Sequence, residues 1–266
     1  MLGKRLLSAA VLIPVVTVFV IIGGYPLWGL VLLVALLAGY EYVMLVRRNA
    51  LWPSFVFSFL LIALLVCDGQ FPQFNIDSWG VPLIAIVALA AEIRMNNAPG
   101  SLFSWALTVA GGIYIGYPFG TILRLRAMDQ GLYWLALVLL GTWICDTGAY
   151  FVGVHWGKHR FFPTISPKKT WEGALGGLAA GMVAVIPFAI IVLHLSWWWS
   201  LIISLLVVLG ATFGDLAESI IKRQLGAKDS SKLIPGHGGM LDRVDSLLFV
   251  FPLVYYAASL IARLAR

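Results

Sequence analysis

The chain has 266 residues and a mass of 29.1 kDa; 61% of its residues are apolar, 11% are charged, and the mean hydropathy is +0.94. A soluble domain carries about 25% charged residues, so this composition excludes both a single soluble globule and a disordered chain. The net charge of +6 then points to basic cytoplasmic loops and anionic ligands, not to nucleic acid.

At about 20 residues per membrane helix, the length accommodates roughly eight to ten spans and no separate soluble domain. Apolar runs predict spans near 6–23, 28–46, 54–67, 80–93, 102–122, 132–153, 173–194, 197–221 and 246–263. The first has Lys4 and Arg5 ahead of an apolar run, as a signal peptide does. Pro14 sits inside it and no small-residue cleavage site follows, so it reads as a retained helix. The fifth contains Gly111, Gly112, Gly116, Pro118 and Gly120, a density that suits a kink or a break. Cys67 and Cys145 lie in apolar runs and read as buried small hydrophobes, which excludes a disulfide framework. There is no internal repeat or low-complexity tract. The expected fold is an all-α polytopic integral membrane protein of about nine transmembrane helices, with a polar active site at the cytoplasmic face. Within one integrated membrane domain, residues 1–125 are the N-terminal helices and 126–266 the C-terminal catalytic region.

Alternate loops differ in charge. The N-terminus and the loops at 47–53, 94–101, 154–172 and 222–245 hold 14 of the 18 basic residues. Arg124, Arg126, Arg263 and Arg266 fall on the other side. The positive-inside rule assigns the richer side to the cytoplasm and, with nine spans, the C-terminus to the outside.

The densest polar stretch runs from Gly214 to Asp245. On a helix Asp215, Glu218, Ser219 and Lys222 share one face. That stripe is either an intrahelical Glu218–Lys222 ion pair with Asp215 near the interface, or a site, since carboxylates in a membrane are costly. Asp242 and Asp245, spaced i, i+3 before the last apolar run, suit a hard divalent cation such as Mg²⁺ or serve as helix caps. Gly236-His237-Gly238-Gly239 is a flexible turn whose backbone N–H groups suit a phosphate. Lys222, Arg223, Lys228, Lys232 and Arg243 surround it; five cations with four aspartates describe a metal-plus-polyphosphate site. A lipid-attracted basic loop would explain the cations but not the aspartates.

A second patch, at the same face, begins at Asp146 and includes Ser166-Pro167-Lys168-Lys169-Thr170 ahead of Glu172-Gly173. It is either a juxtamembrane anchor or a phosphate-holding helix start. His155, His159 and His194 have no metal-cluster spacing and read as interfacial. Glu41 and Glu92 lie in or near spans and receive no functional assignment.

Ser219-x-Ile221-Lys222-Arg223, Lys228-Asp229-x-Ser231 and Ile234-Pro235-x-His237-Gly238-Gly239-Met240-x-Asp242-Arg243-Val244-Asp245 together resemble the signature of the phosphatidate cytidylyltransferase (CDP-diacylglycerol synthase) family, bacterial type, with no departure across 27 positions. The segments around Asp146 and Ser166 are also similar to that family; the diagnostic part covers roughly 140–250. The resemblance implies transfer of a cytidylyl group from CTP to phosphatidic acid in the bilayer, giving CDP-diacylglycerol and pyrophosphate. It further implies a Mg²⁺ centre, of two metals or a mixed Mg²⁺/K⁺ pair, and a homodimer in the cell inner membrane. Its implied metal ligands are Asp215, Asp242 and Asp245. Lys222, Arg223, Lys228 and Arg243 would meet phosphates. Ser219, His237 and the Gly238 and Gly239 backbone would shape the nucleotide pocket. Asp146, Ser166, Lys168, Lys169 and Thr170 would form the facing substrate wall, and Asp229 is either a metal ligand or an ion-pair partner.

The alternatives are a polytopic transporter or another phospholipid-synthesis enzyme. A transporter expects polar residues at mid-bilayer in an inverted repeat, and no repeat is present. A CDP-alcohol phosphotransferase expects a DGxxAR pattern, whereas Asp68-Gly69 continues as Gln-Phe-Pro. A prenyltransferase expects two aspartate-rich motifs on separate helices, and Asp242–Asp245 supplies one.

Overall fold

The computed structural model describes residues 2–49, 51–94, 100–231, 233 and 238–264. Among them the chain forms α1 (Leu2–Ile22), α2 (Gly24–Arg47), α3 (Phe55–Gln70), α4 (Ile76–Arg94), α5 (Ser101–Ala127), α6 (Gly131–Trp156), β1 (Arg160–Phe162), β2 (Ser166–Thr170), α7 (Trp171–Ile191), α8 (Trp197–Gln224) and α9 (Leu241–Leu264). Every predicted apolar run is therefore helical. Seven of the helices (α2 and α4–α9) are long and apolar enough to cross a membrane. The helix α3 is shorter. The 16 residues of α3 rise about 24 Å, less than the roughly 30 Å of hydrocarbon in a typical bilayer.

The fifth run is neither broken nor short. It is the single 27-residue helix α5, with Pro118 inside it. Its glycines serve close packing: Gly111 faces the Tyr42 ring, Gly112 faces Leu61, Gly116 faces Ile62 and Leu65, and Gly120 faces the Leu65 carbonyl. Added Cβ atoms at these positions would collide with those neighbours. A helix-interior glycine costs about 1 kcal/mol relative to alanine. Here it opens the notch that seats side chains of α2 and α3. The Tyr42 hydroxyl then reaches the Leu107 carbonyl at 3.2 Å.

The chain forms two compact units: Met1–Arg124 with Gln224–Val244, and Leu125–Arg223 with Asp245–Arg266. In the first, α3 packs against α2 and α4, and α1 against α2. Its core includes Leu45, Leu61, Ile62 and Ile115. Arg124 pairs with the buried Asp68 and lies 3.3 Å from Asp77. In the second, α6 packs along α7 over small residues. Gly148 faces Ala180, Gly173 faces the Ala149 carbonyl, and Gly177 faces Ala149 and Cys145. Lipid tails are as apolar as leucine, so association between membrane helices relies on such close backbone approach. Leu33, Ile86, Phe103 and Val183 point outward, as a lipid-facing surface requires. Cys145 is buried and Cys67 partly so, both unpaired with each other.

The stretch 154–172, expected as a loop, contains an antiparallel hairpin pairing Arg160 with Thr170 and Phe162 with Ser166. Phe161 packs edge-on against Trp171, with ring centroids 4.3 Å apart. The Glu172 carboxylate accepts from Lys158 N at 3.0 Å and from His159 N at 3.2 Å, and lies 2.6 Å from His159 Nδ1. Pro163 and Pro167 hid this hairpin from a reading based on alternation.

Candidate functional site

In the second unit, the polar cluster is set by helix geometry. Gly214 lets α8 approach α9 closely: a Cβ there would lie 2.7 Å from the Asp245 carbonyl oxygen and 2.9 Å from Ser246 Cα. Asp215, the next residue, is thereby brought toward the start of α9. Lys169, at the end of β2, ion-pairs with Asp215 at 2.7 Å. The Ser219 hydroxyl lies 3.4 Å from the other Asp215 oxygen. Asp146 on α6 experiences the charges of Asp245, Asp215 and Lys169, and its carboxylate accepts from the Ser246 side chain. Lys169 thus pairs with Asp215 while its charge also acts on Asp146.

The rest of the α8 stripe is internally paired. Glu218 is fully buried and lies 2.5 Å from Lys222 Nζ. The ion pair and the outward-facing Asp215 therefore coexist on one helix face. Arg223 Nε donates to the Ile165 carbonyl at 3.3 Å. Thr170 is buried, and its hydroxyl accepts from Gly173 N at 3.1 Å as the N-cap of α7. Ser166 is half-buried at the start of β2, and Lys168 is exposed.

The first unit holds a different arrangement. Oδ2 of Asp242, in the first turn of α9, accepts from Ser230 N at 2.9 Å and Gly239 N at 2.8 Å, and lies 2.8 Å from Ser230 Oγ. Gly238 has φ +82°, a conformation that favours glycine. A Cβ on Gly239 would collide with Ser230 Oγ and Glu41 Oε2. Lys228, Asp229 and Arg243 are exposed. His237 lies outside the described residues.

Sequence reasoning passed over Glu41, Ser230 and Ser246. Glu41 is 1% exposed. Its Oε1 accepts from Ser231 Oγ at 2.6 Å and Met240 N at 2.9 Å; its Oε2 accepts from Leu241 N at 2.8 Å and lies 3.0 Å from Ser230 Oγ. The cost of a lone carboxylate inside an apolar run was the available signal. Its partners, about 190 to 200 residues away in the chain, were not legible.

Carboxylate oxygens, with no thiolate among them, are the ligand type that a hard divalent cation takes. Among the described residues, no three His, Cys, Asp or Glu side chains lie close enough together to hold a metal ion.

The sequence pattern of the cytidylyltransferase family matches residues 3–261. The chain belongs to that family. Relatives include the phosphatidate cytidylyltransferase of Bacillus subtilis, 32% identical over 263 residues, covering 97% of this chain and 98% of that one. That of Staphylococcus haemolyticus is 31% identical over 94% of this chain and 96% of its own length. That of Staphylococcus saprophyticus is 42% identical over 53% of this chain and 54% of its own. The match of this cytidylyltransferase-family chain covers α2 and Glu41 as well as the polar segments of α6, α8 and α9.

Proposed function

We propose that the chain transfers a cytidylyl group from CTP to phosphatidic acid, giving CDP-diacylglycerol and pyrophosphate. The observation that carries this reading is membership of the cytidylyltransferase family over residues 3–261, beside a polar cluster in which Lys169 pairs with Asp215 and also acts on Asp146. A phosphate oxygen of the lipid attacks the α-phosphorus of CTP. That P–O bond forms as the bond to the β-phosphate's bridging oxygen breaks, and pyrophosphate leaves with its electron pair. Both reactants are polyanions, so catalysis consists mainly of positioning and charge stabilisation.

Asp215 and Asp245 are the residues we infer to hold Mg²⁺, in a two-metal or mixed Mg²⁺/K⁺ centre. When bound, the metal would neutralise phosphate charge and polarise the α-phosphoryl group. Asp242 was expected as a third ligand; its Oδ2 already takes backbone N–H donors from Ser230 and Gly239, which supports a loop-holding role for that oxygen. Lys169, paired with Asp215, would be placed to meet a phosphate if that carboxylate held the metal. Lys168, Arg223, Lys228 and Arg243 offer further positive charge, with Lys222 divided between Glu218 and a ligand. Ser166, Ser219, His237 and the Gly238–Gly239 backbone are inferred to border the nucleotide.

The same reading has a homodimer in the cell inner membrane with the site facing the cytoplasm, an orientation supported by the asymmetry of basic residues. The test is purified protein in detergent with phosphatidic acid, labelled CTP and Mg²⁺. Labelled CDP-lipid is the expected product, and its absence rejects the reading.

A further inference from the structure

Glu41 lies on α2, remote in sequence from every residue assigned to the reaction, yet its carboxylate is used up by the stretch that precedes and starts α9. Two of its donors, Met240 N and Leu241 N, are among the N–H groups that a helix start leaves without an intrahelical partner. Such groups are ordinarily capped by a neighbouring side chain. Here the cap comes from another helix. Its other partners, Ser231 Oγ and Ser230 Oγ, lie on the incoming strand of chain. Asp242 grips the same Ser230 and the adjacent Gly239 N from the other side. Gly239 has no space for a side chain between Glu41 and Ser230. A carboxylate accepts at both oxygens and donates nothing, which matches a site offering only donors.

We propose that Glu41 is a positioning residue for cytidylyl transfer: its buried carboxylate fixes Ser230 and Ser231 to the N–H groups that open α9, and so sets the first turn that carries Asp242. The proposal rests on the functional reading above for its catalytic consequence, but not for the tie itself. Glutamine at this position keeps the shape and replaces one acceptor by a donor. It therefore confronts a backbone N–H with an NH₂ group and orphans at least one donor.

The experiment uses the full chain in detergent with Glu41→Gln, Glu41→Asp and a Ser230→Ala/Ser231→Ala double variant. Melting temperature, amide exchange at residues 240 and 241, kcat and KM for CTP are measured on each. Glu41→Gln is expected to stay folded, to speed exchange at 240 and 241 by about tenfold or more, and to lower kcat by about 10–100-fold, the usual cost of a supporting contact, with KM for CTP little changed. Glu41→Asp, which keeps the acceptor-only group, recovers part of both losses. Wild-type exchange at 240 and 241 in Glu41→Gln overturns the tie; faster exchange with wild-type kcat overturns the positioning role. If Glu41→Gln does not fold, the double variant decides: lowered kcat at preserved melting temperature supports the proposal, and wild-type kcat overturns it. Wild-type protein that forms no CDP-lipid rejects the functional reading, while the exchange rates still decide the tie.

Discussion

Asp215 and Asp245 differ from Asp242 in what holds them. Asp215 faces Lys169, and Asp245 contributes to the negative field at Asp146. Asp242 accepts backbone N–H groups from two residues through one oxygen. Asp215→Asn and Asp245→Asn are therefore expected to leave melting nearly unchanged and to lower kcat by about 10²–10³, the cost of losing one preorganised charge contact. Asp242→Asn is expected to lower the melting temperature as well, because replacing a charged acceptor of backbone N–H groups costs about 1–3 kcal/mol. Melting curves and kcat for the three variants in one detergent check this, and a folded Asp245→Asn with wild-type kcat removes Asp245 from the site. For the inferred cation, EDTA should abolish turnover and Mg²⁺ restore it; full turnover after chelation rejects the metal assignment. Of this cluster, the individual aspartates were legible from spacing and family resemblance. The role of Glu41 was not, because a carboxylate in an apolar run announces a cost and not a partner.

Among the elements, the α8–α9 approach at Gly214 governs whether Asp215 and Asp245 share a site. A methyl group there would meet backbone atoms, 2.7 Å from the Asp245 oxygen, and backbone yields only if a helix moves. Gly214→Ala is expected to cost about 1–3 kcal/mol through overpacking and to lower kcat by more than that instability explains. Gly29→Ala, on α2 with nothing within 4 Å of the added Cβ, supplies the contrast: it should leave kcat unchanged and stabilise the helix by about 0.5–1 kcal/mol. Melting temperatures and kcat for the two variants test the comparison, and equal behaviour rejects the close-approach argument. The glycines of α5 show the same limit on sequence reasoning. Their density suggested a break, but a helix interior in lipid keeps its backbone bonds, and the missing side chains instead seat Tyr42, Leu61 and Leu65.

At the scale of the whole molecule, the number of crossing helices sets which loops share a side of the membrane. If all nine cross from a cytoplasmic N-terminus, fusions at Arg48, Lys168 and Lys228 all report the cytoplasm and one after Arg266 reports the outside. If α3 alone stops short, Lys168, Lys228 and Arg266 all change sides while Arg48 does not. In the first unit Asn49 Nδ2 donates to the Leu225 carbonyl at 3.0 Å, so the chain after α2 and the chain after α8 share a face. Reporter fusions should accordingly read Arg48 and Lys228 alike; opposite readings reject the nine-span parity. By itself the sequence determined the solvent, the helical class, the helix positions and the polar segments. Those follow from local quantities: apolar run length, basic asymmetry and residue spacing along a helix. Tertiary structure alone decided that Glu41 caps α9, that Lys169 meets Asp215, and that glycines in α5, α6, α7 and α8 are points of contact and not of weakness. Each of these depends on two segments distant in the chain meeting within about 3 Å, the range of a hydrogen bond, and no single segment carries the identity of its partner.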